Sequence, residues 1–294
     1  MNPNQKKALL SIILLALVFQ VQRLTFLLFN LGSFEGLGIP DIVMAFAFGL
    51  RFDLSAIIII NALYLFALLT PNKLQEKNWF HKCMDGLFLI TNIPAVVLNS
   101  IDLEYFKFQG KRTTADLFDL FGLGDDIKNT LPQMAKDFWP VLLVSLIISI
   151  LIIIIQRKKL VVKSKPKSPY KTSNWLVASI ALPLAFLGAR GSWDLKPLRI
   201  ANAASVGHPG AAPLILNTPF TIIKTIGAPI MELRFEMDEK EALLQFKREK
   251  SNGANEQFRT MNVVVIILES FSAEYSTLLT GKKGYTPFLD SLMQ

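Results

Sequence analysis

The sequence predicts an α-helical polytopic membrane domain with five transmembrane helices, followed by the truncated start of an α/β domain. Apolar residues make up 51% of the chain and include 22 phenylalanines, which favours a bilayer over a soluble core. Five apolar runs reach or approach the roughly 20 residues that cross about 30 Å of hydrocarbon. A sixth apolar run, near the C-terminal end, is short and rich in β-branched residues, which is typical of a buried strand in a parallel sheet.

The five predicted spans cover residues 8–31, 42–70, 84–101, 138–156 and 172–189. The third span is the least regular, because Asn92, Pro94 and Asn99 interrupt it. Proline and asparagine are tolerated in a membrane helix where neighbouring helices satisfy the freed backbone groups, so we retain this segment as a span.

Lysine and arginine occupy alternate loops, which predicts how the spans are oriented. They precede the first span, separate the second from the third, and are densest between the fourth and fifth, where 157–171 carries seven of them. The loop 32–41 carries none. Because basic loops stay inside, the N-terminus is predicted to be cytoplasmic, and an odd number of spans places everything from Arg190 onward outside. The predicted location is the cytoplasmic membrane, with an extracytoplasmic C-terminal domain.

The net charge of +8 does not predict a nucleic-acid partner. Seven of the positive charges lie in one loop between two hydrophobic spans, where they set topology and touch anionic lipid headgroups. The single cysteine, Cys83, lies in a predicted cytoplasmic loop. The outer part of the chain is therefore expected to fold without a disulfide.

The chain is predicted to comprise three parts: a transmembrane domain at 1–190, an extracytoplasmic helical linker at 191–258, and the first strand and helix of a truncated catalytic domain at 259–294. Proline and glycine punctuate the sequence after Gly191, which marks the change to a linker. Within this linker, 214–226 is apolar enough to lie along the membrane surface or against the outer domain.

Residues 263–268 are uninterruptedly apolar and predict a buried parallel strand whose tip presents Glu269. In open α/β sheets, ligand sites lie at the carboxyl ends of strands, so Glu269 is a candidate site residue. Thr286 and Pro287 predict an N-cap and the first residue of a returning helix. Too few residues follow Glu269 to close a parallel sheet, so we expect the chain to begin this domain and stop inside it.

Two arginines fall inside predicted spans, where ionisable groups are costly and usually functional. Arg51 lies about nine residues from the outer end of its span, on the order of 13 Å at 1.5 Å per residue, and Arg23 also falls in the outer half of the bilayer. Together they could bind the phosphate of a phospholipid; alternatively, Asp53 or an acid on another helix neutralises them. Arg51 and Asp53 do not face each other on one helix, so either hypothesis requires an interhelical partner.

Two segments near the C-terminal end carry a resemblance to a known family. Residues 262–272 read Asn-Val-Val-Val-Ile-Ile-Leu-Glu-Ser-Phe-Ser, and residues 285–292 read Tyr-Thr-Pro-Phe-Leu-Asp-Ser-Leu. This pair resembles the opening of the extracytoplasmic domain of the lipoteichoic acid synthase family, within the sulfatase and alkaline phosphatase superfamily. Five preceding spans with a cytoplasmic N-terminus are similar to that family's architecture, and segments 49–55 and 102–108 are similar to its membrane-domain sequences.

The resemblance implies a bacterial membrane enzyme that transfers phosphoglycerol, or phosphoethanolamine, from a phospholipid donor to an extracytoplasmic glycolipid or glycan acceptor. It implies that Glu269 ligates a divalent metal, usually Mn²⁺, with Mg²⁺ or Zn²⁺ also compatible. The metal activates a threonine nucleophile, because a hydroxyl attacks poorly at neutral pH until a cation lowers its pKa. In the family the nucleophile and the remaining ligands lie further along than Gln294. We therefore assign no threonine here as the nucleophile and expect the 294-residue chain to be inactive.

Two other functions stay open. A membrane-anchored sulfatase or phosphatase would share the sheet and the metal but would hydrolyse its substrate. Hydrolytic sulfatases typically place paired aspartates where Glu269 and Ser270 stand here, which ranks this alternative lower. A non-catalytic membrane scaffold or regulator is the third hypothesis, if the chain truly ends at Gln294.

Overall fold

A computed structural model describes residues 2–118, 132–133, 135–160, 172–227, 262, 265, 267 and 271–293. The chain divides into two compact units, Met1–Ile230 and Met231–Gln294. We describe each unit by itself. The residues described in both units form helices and turns, and none of them lies in a β-strand.

The first unit is built from helices that lie next to each other in an up-and-down order. They are α1 (Pro3–Phe29), α2 (Ile39–Ile60), α3 (Ala62–Leu69), α4 (Asn78–Gln109), α5 (Trp139–Lys159) and α6 (Thr172–Arg190). Among the described residues, five of these helices are long and apolar enough to cross a membrane, namely α1, α2, α4, α5 and α6. The predicted helical membrane domain with five spans is therefore confirmed.

The helices pack through one continuous apolar core. Helix α1 contacts α2, α3 and α4, while α6 packs on α2 and α3, and α5 packs on α4. At the centre of the core the rings of Tyr64 and Phe88 lie 5.3 Å apart, and the Tyr64 hydroxyl hydrogen-bonds Ser11 Oγ at 2.9 Å. The outward faces of the helices stay apolar and exposed, as with Leu17 and Leu28 of α1. Such a large apolar surface is unusual in contact with water, whereas it is what contact with lipid tails requires.

The second and third spans differ in detail from the sequence expectation. The second span consists of two helices, because α2 ends at Ile60 and α3 begins at Ala62, with Asn61 between them. The third span is one continuous helix, α4, which passes through Pro94 and is longer than predicted, with 32 residues. Asn61 and Asn92 explain both features, since each side-chain amide donates to the other's oxygen, at 2.9 and 2.7 Å. The two asparagine side chains lie inside the bundle, one at the break between α2 and α3 and one within α4, and by bonding to each other they satisfy their own polar groups.

At one end of the bundle, the start of α1 is held by buried polar side chains. Gln5 and Asn2 form a capping box, and the Gln5 side-chain amide also donates to the carbonyls of Leu69 and Asn174, at 3.2 and 2.8 Å. Lys7 forms an ion pair with Asp85 of α4. The starts of α1, α4 and α6 and the end of α3 therefore meet at this end, as the up-and-down order of the helices requires.

The chain that follows α6 packs back into the bundle. It forms short helices α7 (Ala201–Ala204), α8 (Ala212–Ile215) and α9 (Thr218–Thr225). Helix α8 contacts α1 and α2, and α9 contacts α2 and α4. Leu214, Ile215 and Phe220 are fully buried there. The expectation that 214–226 lies along the membrane surface or against an outer domain is therefore wrong, because these apolar side chains fill the space between three spans.

The described part of the second unit contains a 3₁₀ turn (Ala273–Tyr275), α10 (Thr277–Thr280) and α11 (Pro287–Leu292). Helix α11 begins at Pro287 after Thr286, as predicted. However, the Thr286 hydroxyl does not cap the helix and donates instead to the Tyr275 carbonyl at 2.8 Å. This bond fixes the loop between the two helices.

The predicted strand 263–268 lies mostly outside the described residues. Its described members, Val265 and Ile267, have no regular secondary structure and are 76% and 87% exposed. The described residues therefore do not show the buried strand that the sequence predicts, and the α/β domain stays a prediction.

The orientation of the bundle is a prediction that reporter fusions can measure. We expect a fusion at Lys165 to report the cytoplasm and a fusion at Asn255 to report the opposite side, because the basic loop 157–171 stays inside. Paired alkaline phosphatase and fluorescent-protein reporters at both positions would provide the measurement. If both fusions reported the same compartment, the number of spans would not be odd, and the predicted location of Glu269 on the outside would be wrong.

Candidate functional site

A buried ion pair joins α1 to α2 at the end of the bundle opposite the N-terminus. Arg23 donates from Nη1 and Nη2 to the two carboxylate oxygens of Asp53, at 2.6 and 2.7 Å. The side chains are 2% and 0% exposed. Gly49 makes this approach possible, since a Cβ at that position would overlap the Arg23 guanidinium. Asp53 is thus the interhelical partner of Arg23 that the sequence analysis left open as an alternative.

The same ion pair holds the segment that follows α6. Arg23 Nε donates to the Leu214 carbonyl at 2.8 Å, and Nη2 also donates to the Ile215 carbonyl at 3.0 Å. Asn217 donates from its amide to Asp53 at 2.8 Å and caps α9 by accepting from the Phe220 N–H. A segment that is distant in sequence is thereby fixed to α1 and α2 by charge-assisted bonds.

A second buried ion pair, Asp102 with Arg112, fixes the other side of this segment. The guanidinium lies 3.3 Å from the Asp102 carboxylate and donates from Nε to the Pro213 carbonyl at 2.7 Å. Asp102 also accepts from the backbone N–H of Thr113 at 3.0 Å and from the hydroxyl of Thr218. Burial lowers the pKa of Arg112 to about 10, while the Asp102 carboxylate acts in the opposite direction. Arg112 therefore remains charged at neutral pH.

The Arg112 guanidinium also lies over the ring of Phe26, 3.5 Å from its centroid. Asn99 of α4 joins Thr218 to α1, since its oxygen accepts from the Thr218 N–H at 3.2 Å and its amide donates to Gln22 at 3.1 Å. The two ion pairs are linked through adjacent residues, because Asn217 donates to Asp53 and Thr218 donates to Asp102. We call this whole set the buried polar cluster: Gln22, Arg23, Asp53, Asn99, Asp102, Arg112, Asn217 and Thr218. Two arginines face two aspartates within it, so the charges balance.

The buried polar cluster acts as a tether and has little capacity left for a ligand. Four of the five N–H groups of Arg23 donate to Asp53 or to backbone carbonyls. An incoming phosphate would have to displace these bonds and would meet the Asp53 carboxylate. Such a network instead gives the segment 212–225 one position in the bundle. The fold and this site define the class of the protein: a helical membrane protein with a segment tethered between its spans.

Arg51, the other arginine predicted to bind substrate, lies apart from this cluster. Its side chain is exposed, and Nε donates to the carbonyl of Gly191, directly after α6. The terminal nitrogens of Arg51 make no hydrogen bond to any residue that the structure describes. Arg23 and Arg51 therefore differ, since one is committed to internal bonds and the other is open. Whether either contacts the proposed substrate remains a prediction.

Glu269, the predicted metal ligand, lies outside the described residues. Within the described ranges, no group of three or more His, Cys, Asp or Glu side chains comes together as a metal site would require. The donor chemistry of Glu269 is compatible, because carboxylate oxygens bind Mn²⁺ and Mg²⁺. Its role as a metal ligand therefore stays a prediction.

The threonines near Glu269 have structural roles in the second unit. Thr277 Oγ1 accepts from the Gly284 N–H at 2.9 Å, and Thr280 Oγ1 donates to the Ser276 carbonyl at 2.8 Å. With Thr286 bound to Tyr275, each of the three hydroxyls is engaged locally. These contacts agree with the decision to assign none of them as a nucleophile.

Sequence reasoning missed Asp290, which organises the second unit. It accepts from the Ser276 hydroxyl and from the Thr277 N–H at 2.9 Å, and thus joins α11 to the start of α10. The hydrogen bond from Ser276 holds the pKa of Asp290 below its ordinary value. The stability that it contributes is present above the usual carboxyl pKa and is lost as the pH falls through the lowered pKa. An aspartate four residues after a Thr-Pro helix start gives no distinctive signal in sequence.

Comparisons with protein-family models, curated proteins and solved structures found no match for this chain.

Proposed function

We propose that this chain is the N-terminal, membrane-embedded portion of a metal-dependent transferase. The enzyme would move phosphoglycerol, or phosphoethanolamine, from a phospholipid to a glycolipid or glycan acceptor outside the cytoplasmic membrane. Support comes from the resemblance of segments 262–272 and 285–292 to the lipoteichoic acid synthase family. The five helices supply the membrane location that such a donor requires.

The structural observation that carries the proposal is the tether of the segment 212–225. Two buried ion pairs and two asparagines fix α8 and α9 between the spans. A bundle that is fixed in this way can anchor an enzyme at a membrane that contains its lipid substrate, and firm anchoring matters because small displacements of catalytic groups cost large factors in rate.

In this proposal Glu269 contributes one carboxylate to a divalent metal, Mn²⁺ by preference. When bound, the metal would lower the pKa of a hydroxyl nucleophile and offset charge on the phosphoryl oxygens. The described residues contribute anchoring and positioning only. The exposed guanidinium of Arg51 is available for contact with phosphate, whereas Arg23 maintains the tether.

The proposal is tested by incubating the complete gene product with phosphatidylglycerol or phosphatidylethanolamine and Mn²⁺. We expect diacylglycerol release from one of these lipids and none above a Glu269→Ala control from the 294-residue chain, because one carboxylate and one strand make neither a metal site nor a sheet. Product analysis separates transfer from hydrolysis, since a hydrolase would release free headgroup phosphate without an acceptor. Turnover by the 294-residue chain itself would contradict the proposal.

A membrane scaffold is the alternative that the coding sequence can distinguish. An open frame that continues past the Gln294 codon, with a threonine and later Asp and His pairs, would agree with the enzyme. A stop codon directly after Gln294 would favour the scaffold. Under that hypothesis the buried polar cluster would stabilise the bundle and no turnover would be observed with any lipid.

A further inference from the structure

The turn that follows α6 is closed by its own hydrogen bonds and by packing on α2. The Leu198 N–H donates to the Arg190 carbonyl at 3.0 Å, and Arg190 Nη2 donates to the Asp194 carbonyl. Gly191 adopts a φ of 66°, and a Cβ there would lie within 3.0 Å of Leu198 side-chain atoms. Residues 190–199, which we call the exit turn, are therefore held in one conformation against α2.

The exit turn presents large apolar side chains that touch almost nothing. Trp193 is 87% exposed and Leu195 is 99% exposed. Between them, the Asp194 carboxylate accepts from the Ser192 hydroxyl at 2.9 Å, so this acidic side chain is hydrogen-bonded within the turn. An exposed tryptophan on a short rigid turn is characteristic of the membrane–water interface, where the indole ring sits at the level of the headgroups.

The apolar side chains of the exit turn are flanked by positive charge. Arg51, Lys196 and Arg199 are exposed, and Arg190 is half-buried. Arg51 is joined to the exit turn through its Nε bond to the Gly191 carbonyl, and its terminal nitrogens make no hydrogen bond to any described residue. A guanidinium fixed at one nitrogen and open at the others suits a phosphate group, because its two terminal nitrogens can donate two parallel hydrogen bonds to two phosphate oxygens.

The exit turn directly follows a helix that is long enough to cross the hydrocarbon layer. The helix has 19 residues, which at 1.5 Å per residue is about 28 Å, close to the thickness of the hydrocarbon layer. Ser55 of α2 donates to the Ala189 carbonyl at 2.6 Å, and Arg51, about one turn before Ser55, donates to the Gly191 carbonyl, so Arg51 is level with the end of α6. By sequence, Arg51 lies about 13 Å from residue 42, the outer end of the predicted second span. In the structure its bond to the Gly191 carbonyl places it beside the end of α6.

We propose that Arg51 and the exit turn form a docking surface for the phosphate of an anionic phospholipid in the leaflet where α6 ends. Trp193 and Leu195 enter the outer edge of the acyl region, and Arg51, Lys196 and Arg199 bind headgroup phosphate. The surface is an anchor for the bundle at that leaflet. It rests on the first unit alone and does not depend on the proposed transferase activity.

The immersion of the exit turn is tested with Trp193 as a reporter in the full 294-residue chain. The other tryptophans, Trp79, Trp139 and Trp175, are replaced by phenylalanine, and the protein is reconstituted into vesicles whose acyl chains carry bromine close to the headgroup. We expect Trp193 fluorescence to be strongly quenched by these bromines and poorly quenched by acrylamide in the aqueous phase. Quenching by acrylamide without quenching by bromine would overturn the proposal, and so would protection from both, because the turn would then be covered by protein.

The preference for anionic phosphate is tested by lipid retention in native mass spectrometry. Wild-type protein in mixed phosphatidylglycerol and phosphatidylcholine should retain phosphatidylglycerol preferentially, and Arg51→Gln should weaken retention of one such lipid by about tenfold. Arg51→Lys should keep part of it, because the charge remains but the fork geometry is lost. Lys111→Gln is the matched control, because Lys111 is an exposed base that pairs with Asp116. Unchanged retention in Arg51→Gln, or an equal loss in Lys111→Gln, would reject the site.

Discussion

Asp53→Ala is expected to destabilise the membrane domain by about 3–5 kcal/mol, because it leaves the Arg23 guanidinium buried without a counter-charge. Asp53 accepts from Arg23, from Asn217 and, at 3.1 Å, from Gln20, and its side chain is fully buried. Loss of the carboxylate therefore removes a charge partner and leaves the side-chain amides of Gln20 and Asn217 without this acceptor. The measurement is thermal unfolding in detergent, followed by size-exclusion chromatography with a fluorescent fusion.

A surface aspartate and a double variant make this test specific. Asp116→Asn changes a carboxylate that is 71% exposed, and it should alter stability by less than about 1 kcal/mol. Arg23→Leu with Asp53→Leu removes both charges and should recover part of the loss, since no unpaired charge then remains. Recovery should be incomplete, because the bonds from Arg23 to the carbonyls of Leu214 and Ile215 are also lost. If Asp53→Ala behaved like Asp116→Asn, the ion pair would not be the tether described here.

The spans could be predicted from sequence because the bilayer imposes a length and an apolar composition that are visible in one chain. All five runs correspond to helices, and the interrupted third run is continuous through Pro94. What composition could not reveal is the break in the second span. Asn61 and Asn92 each look like an isolated polar residue in sequence, and only their contact across two helices explains both.

The tether was the part of the site that sequence could not provide. Arg23 and Asp53 were recognised as costly intramembrane charges, and their pairing was one of two hypotheses. Their link to Leu214 and Ile215 joins residues nearly two hundred positions apart, and it is made to backbone carbonyls, which no side-chain pattern records. A signal did exist in Asp102, a carboxylate at the end of an apolar run, because a buried acid requires a partner.

The segment 214–226 was misplaced for a related physical reason. Its apolar side chains suit a membrane surface as well as a helix bundle, so hydropathy alone does not choose between them. The polar residues Asn217 and Thr218 decide the matter, because their donors meet Asp53, Asn99 and Asp102 inside the bundle. At a surface these polar side chains would have no preferred partner. Inside the bundle they fix the position of the segment, because charged partners are buried opposite them.

The largest functional effect is expected at Glu269, which the proposed enzyme requires as a metal ligand. The apolar run 263–268 would place this carboxylate at the rigid tip of a buried strand once further strands pack beside it, which is how a preorganised ligand is held. Glu269→Gln keeps the shape of the side chain and removes the charge that offsets the cation. In the complete protein, activity should fall by orders of magnitude, because the hydroxyl nucleophile would stay protonated.

Metal-dependent stability separates this role of Glu269 from an ordinary surface carboxylate. A metal that binds only the folded state stabilises it by about 2.7 kcal/mol when its free concentration is about one hundred times its dissociation constant. Added Mn²⁺ should therefore raise the melting temperature of the wild-type complete protein and leave that of Glu269→Gln nearly unchanged. Without metal the two proteins should melt together, since the carboxylate stabilises the ion and contributes little to the core. Glu274→Gln serves as the matched control, because Glu274 lies in an exposed turn and should leave both readouts unaltered. If Glu269→Gln kept near-normal transfer and the same response to Mn²⁺, the metal would be held elsewhere and the resemblance would not extend to this position.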